Sequence, residues 1–229
     1  MVPGPEKVGK PAALATQLES LVAIMGDPAF VRLAPLLGLT AGCQIAIQTL
    51  WAGPWWRDVG GLDRAGVARH LLFMAAAFFV GVLSTGALAD RLQRRGVSTL
   101  DLLVCFLLAF MSAQVLILFG VVELPAWLLF GMLGQVAVLA FPWLAKHFGA
   151  ALSARANSGL NLTIFATAFL IQWAIGAIID LYPTTPSGGF PVAAYRAAFG
   201  ACLALQVAGL AFYLPAHRQL RRGRRPEAL

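Results

Sequence analysis

The chain has 229 residues, 59% of them hydrophobic and only 12% charged, with a formal net charge of +7. Soluble domains carry roughly 25% charged residues, so this composition, at a mean hydropathy of +0.78, excludes an ordinary water-soluble enzyme and describes a polytopic membrane protein. Nucleic-acid binding is not expected, because it needs a folded basic surface and here the basic surplus falls in loops and a tail.

Residues 1–32 form a charged lead-in. Its opening, MVPGPEKVGKPAALATQLES, lacks the short apolar core and small-residue cleavage site of a signal peptide, so the first span is expected to direct insertion. Residues 14–25, LATQLESLVAIM, are apolar on one side with Gln17, Glu19 and Ser20 on the other. That pattern suits either a short helix on the membrane surface or a plain tether. Pro28 marks a break before the first span.

Six apolar segments are long enough, at about 20 residues, to cross a hydrocarbon core roughly 30 Å thick. They fall at 33–53, 68–89, 99–121, 124–145, 158–180 and 191–214, so 33–214 is the membrane domain and 215–229 a basic tail. No strand alternation is present, and helices satisfy the backbone in lipid. The fold class is therefore an all-α membrane protein. Cys43, Cys105 and Cys202 lie inside apolar runs and read as small buried residues without a disulfide or metal grouping.

Of the 17 lysines and arginines, 13 fall on the side holding both termini and only Arg57, Arg64, Arg69 and Arg196 on the other. Both termini are expected in the cytoplasm, with the RRGRR tail facing anionic lipid.

The second span ends in Gly86-Ala-Leu-Ala-Asp90 and the fifth in Gly176-Ala-Ile-Ile-Asp180. This echo points to two inverted three-helix repeats, a common plan among transporters. The run GALADRLQRRG also resembles the loop motif of the major facilitator superfamily, Gly-x-x-x-Asp-Arg/Lys-x-Gly-Arg/Lys-Arg/Lys. Gly86, Asp90, Arg91, Arg94 and Arg95 fit it, while Gln93 replaces a glycine. Residues 47–67 resemble the seventh helix and following loop of bacterial members, 156–180 their eleventh helix, and the lead-in their inter-half linker. The resemblance spans nearly the whole chain and implies the C-terminal six-helix half of a twelve-helix transporter of the bacterial inner membrane. It also implies a small-molecule solute and a complementary six-helix half, or a homodimer, as partners.

A carboxylate at a helix C-terminus costs roughly 0.3 to 1 kcal/mol unless a cation or another helix N-terminus approaches it. Arg91, Arg94 and Arg95 are near enough in sequence to contribute. In the superfamily this loop acts as a gating latch whose carboxylate faces the opposite half. The arginines also serve as a plain topology signal, and both readings stand.

Polar residues inside spans are costly and usually face a cavity or a neighbouring helix. Gln44, Gln48 and Trp51 recur at helical spacing along the first span, with Trp55 beyond it; Asn161, Phe165 and Gln172 recur in the fifth, with Asn157 a turn before. The resemblance places these two spans on a central cavity, so Gln44, Gln48, Trp51, Asn161 and Gln172 are candidate substrate contacts, with Gln135 of the fourth span a further one. Interhelical hydrogen bonding, worth about 0.6 kcal/mol on average, is the competing role. Gln114 and Gln206 lie on spans expected at the periphery and are assigned to packing. Trp51, Trp55, Trp56, Trp127 and Trp143 read as interfacial anchors, and Gly131, Gly134 and Gly159 as points of close helix approach.

No carboxylate, lysine or histidine occupies a mid-span position: Asp58, Asp63, Asp90, Asp101, Glu123 and Asp180 all lie near ends or in loops. A proton relay within the bundle is not visible, and the fifth span lacks the glycine-rich signature of nitrate and nitrite porters. His70, His147 and His217 share no helical face, and no nucleophile elbow or phosphate loop occurs. No metal site, cofactor or enzyme activity is expected. The alternative to a transporter half is a six-span membrane protein that does not transport.

Overall fold

The computed structural model describes residues 14–120 and 123–222. The lead-in through residue 13, with Lys7 and Lys10, and the tail from 223, with Arg224 and Arg225, lie outside the described residues. Every regular element within them is helical, and six helices are long and apolar enough to cross a membrane. The chain is therefore an integral, multi-span membrane protein in contact with lipid.

Helix α1, Leu14–Met25, precedes the first span. Its Ile24 is buried in the core, and Leu21 and Met25 lie beside Gly159 of the fifth span. Asp27 caps α2, Pro28–Ala46, accepting from the Ala29 and Phe30 amides at 2.9 and 3.4 Å. Pro28 therefore opens the helix, since the first helical position needs no N–H, and the span starts there instead of at residue 33. A π turn, Ile47–Trp51, and α3, Ala52–Asp58, complete span 1.

Span 2 is α4, Arg64–Gln93, capped by Asp63, and span 3 is α5, Thr99–Phe119, capped by Ser98 and closed by Gly120 at φ 69°. Span 4 is interrupted: α6, Glu123–Leu133, a turn, a 3-10 segment Val136–Leu139, and α7, Ala140–Phe148. Spans 5 and 6 are α8, Ala150–Ile179, and α9, Val192–Arg221. Both run past the predicted limits at 158 and 214.

Span 1 packs against spans 5 and 6, and span 4 against spans 2 and 3. Glycines set the closest crossings. A Cβ on Gly42 would lie 3.0 Å from the Ala168 amide nitrogen, and one on Gly131 equally close to the Met74 carbonyl. Gly81 rests directly on the backbone of Met132, and Gly134 on the side chain of Gln44. Gly131 and Gly134 thus permit close approach as expected, whereas a Cβ at Gly159 would make only ordinary contact, 3.4 Å from Phe30. Span 1 is the most enclosed, with 72% of its apolar stretch buried; span 2 is the least, at 17%.

Three tryptophans depart from the interfacial reading. Trp55, Trp56 and Trp127 are 1–2% exposed. Trp55 packs with Trp127, Tyr195 and Phe199 at ring separations of 5.6–5.8 Å. They form an aromatic core inside the protein. Cys43 and Cys202 are buried, but Cys105 is exposed on the outer surface of α5.

Gln114 and Gln206 join spans 3 and 6 through a reciprocal amide pair, 3.0 and 2.9 Å, both side chains being buried. Gln114→Leu is expected to cost about 1 to 2 kcal/mol by leaving Gln206 half-satisfied. The double leucine variant should recover most of that loss, as a double-mutant cycle of unfolding in mixed micelles would show. Additive losses would mean that the two amides do not depend on each other.

Candidate functional site

The break in span 4 lies against span 1 about one turn before that span's own interruption, the π turn. In span 1 the Ala52 amide bonds to the Ile47 carbonyl, closing a turn one residue wider than an α-helical one; π turns of this kind occur frequently at functional sites. Gln44, a turn earlier and buried, donates from Nε2 to Gln48 Oε1 at 2.7 Å. Gly134, in the turn that breaks span 4, lies against Gln44, and half-buried Gln135 follows it.

Span 5 closes one flank. Gln172 Nε2 donates to Thr49 Oγ1 at 3.3 Å, and Thr49 in turn donates to the Ile45 carbonyl at 2.7 Å. The Trp51 ring covers Gly176, and its indole N–H is buried without an acceptor. Gln44, Gln48, Trp51, Gly134 and Gln172 are thus gathered around the two interruptions. Asn161 is not among them: it is exposed, about 16 Å along α8 from Gln172 at 1.5 Å per residue. Phe165, at 63% exposure, faces outward too. Thr49, absent from the sequence candidates, links the two spans; a hydroxyl inside an apolar run was its only signal.

Helix α4 continues through Asp90, so this carboxylate sits in the last turns of the helix. Asp90, Arg91, Arg94 and Arg95 are all exposed. Among the described residues none of them forms an ion pair within 4.0 Å. The two Gly-Ala-x-x-Asp copies have different surroundings. Gly86 has open space beside it, whereas Gly176 lies under Trp51; Asp180 is exposed at the end of α8.

Three polar clusters escaped the sequence reading because their members are far apart in the chain. At the end of span 1, the Asp58 side chain is 2% exposed. Its Oδ2 accepts from the Tyr195 hydroxyl at 2.6 Å and the Phe190 amide at 3.1 Å. Its Oδ1 accepts from Arg57 Nε at 2.6 Å. At the opposite end of the bundle, His147 Nε2 lies 3.2 Å from Asp27 Oδ1. There, too, Asp101 contacts His217 at 2.9 Å and Arg221 at 3.2 Å. Two of the three histidines thus engage carboxylates one to one. Among the described residues no group of three or more His, Cys, Asp or Glu is placed to hold a metal ion.

Compared with known protein families and with curated proteins, the chain matches no family model and no curated relative.

Proposed function

We propose that the chain is one six-helix half of a secondary transporter of the major facilitator type, moving a small solute by alternating access together with a second half. The observation that carries this reading is the meeting of two interrupted helices around Gln44, Gln48 and Gly134. Broken spans in corresponding positions of two repeats are where transporters hold their substrates. The packing supports the same plan: exchanging spans 1–3 with 4–6 maps the contact of span 1 with span 5 onto that of span 4 with span 2. Solute recognition falls to the amides of Gln48 and Gln172 with the Thr49 hydroxyl, and the Asp90 loop would meet the second half. The gathering of lysines and arginines at one end of the spans supports a cytoplasmic location for both termini, and the resemblance favours a bacterial inner membrane.

The second half has a surface to meet. Thr49 and Asn161 lie within spans yet are exposed on the outside of the six-helix body; bare lipid would leave the Asn161 amide costly, while the Thr49 hydroxyl is already bonded to the Ile45 carbonyl and to Gln172. Around them α8 exposes Phe169 and Trp173 at 71% and 70%. In a Cys105→Ser background, Phe169→Cys should crosslink within native membranes to a six-span partner or to a second copy. Leu108→Cys, on span 3, should not. No adduct at Phe169, or equal labelling at both positions, rejects the assembly. The non-transporting reading draws on the hydrogen bond that Gln44 donates to Gln48; an assembled complex that takes up no solute into proteoliposomes would favour it.

A further inference from the structure

We infer that the basic end of the bundle carries a binding site for a phosphate-bearing anion, of the kind presented by an anionic phospholipid headgroup. A cavity of about 670 Å³ opens there between the turn joining spans 2 and 3, the end of span 4 and the end of span 6. Its polar wall includes Gln93, Ser98, Thr99, Lys146, His147 and Arg221, and its apolar wall Val97, Pro142, Trp143 and Leu220. Because the walls are the ends of four membrane-spanning helices, the cavity lies at the level of one membrane surface.

The charge around it is mostly positive. Asp27 is engaged with His147 and Asp101 with His217 and Arg221, which leaves Asp90, one turn before Gln93, as a free carboxylate beside a larger number of free cations. Lys146 is exposed and, like the neighbouring Arg94, Arg95, Arg218 and Arg222, takes part in no ion pair among the described residues. Arg221 keeps a side chain 55% exposed beyond its contact with Asp101. Trp143 stacks on His147, with centroids 5.1 Å apart and planes 9° apart, which fixes that wall. A cavity that joins cations to an apolar wall between helix ends matches how such proteins hold anionic lipid headgroups.

The test uses the full chain in phosphatidylcholine nanodiscs, titrated with phosphatidylglycerol and, separately, with inorganic phosphate, bound ligand being counted by native mass spectrometry. Saturable binding is expected. Lys146→Glu should weaken it about thirtyfold, two charge increments acting directly on the bound anion, and Arg218→Glu, outside the cavity and screened by solvent, no more than about fivefold. Val97→Trp, which fills the cavity without changing charge, should weaken it as well. Saturable phosphatidylglycerol binding that excess inorganic phosphate leaves untouched identifies the lipid headgroup as the ligand, and displacement by phosphate identifies the free anion. Equal losses from Lys146→Glu and Arg218→Glu, no effect of Val97→Trp, or no saturable binding of either ligand would overturn the site.

Discussion

Asp58→Ala is expected to lower the stability of the protein by about 3 kcal/mol, because it leaves the buried Tyr195 hydroxyl and the half-buried Phe190 amide without their acceptor. The carboxylate gathers the end of span 1, the start of span 6 at Tyr195 and the loop before it at Phe190. Gly189 fits so closely beneath it that a Cβ there would stand 2.6 Å from Oδ1. Arg57 contributes little to this cost, its side chain being 63% exposed and able to return to water. Tyr195→Phe should cost about 1 to 2 kcal/mol, and the double variant less than the two losses together. Unfolding in mixed micelles measures all three. An Asp58→Ala protein within about 0.5 kcal/mol of the parent would mean that the cluster does not hold the two spans together.

Gly81→Val should be comparably severe, at about 3 kcal/mol, the upper end of overpacking costs. The neighbour in its way is the backbone of Met132, which cannot turn aside as a side chain can. Since span 2 packs mainly against span 4, the variant should detach span 2 from the bundle and expose the buried Met74 to alkylation or oxidation. Gly86, a turn and a half further along the same helix, supplies the contrast. Nothing lies within 4 Å of where its Cβ would be, so Gly86→Ala should be neutral or raise stability by up to about 1 kcal/mol through helix propensity. Similar thermal shifts for both variants would show that the crossing at Gly81 is not tight.

The six spans were legible because each is a long apolar run, a signal that needs no knowledge of packing. Their ends were less so: α8 starts at Ala150 across Ser153 and Arg155, polar residues that a helix projecting from the bilayer tolerates. The tryptophans misled for a definable reason. Enrichment at membrane interfaces describes a ring's depth, and depth alone does not separate a ring facing lipid from Trp55, which faces Tyr195 and Phe199. Of the candidate site, Gln44, Gln48, Trp51 and Gln172 were readable from helical spacing, and Asn161 shared that spacing while facing outward. The Asp58 cluster was not readable, since Tyr195 lies 137 residues away and single carboxylates near span ends are common.

The π turn at Ile47–Trp51 was equally hidden, because its apolar pattern reads as unbroken helix. Its consequence is one of angular register. A turn closed from Ile47 to Ala52 absorbs one residue more than an α-helical turn. Removing that residue would rotate everything beyond it by about 100° and shift it about 1.5 Å along the axis. Asp58 would then swing away from Tyr195, and Trp55 out of its aromatic neighbours. The wide turn beside the glutamines therefore sets which way the far end of span 1 points, coupling the geometry of the membrane interior to the clasp at the surface.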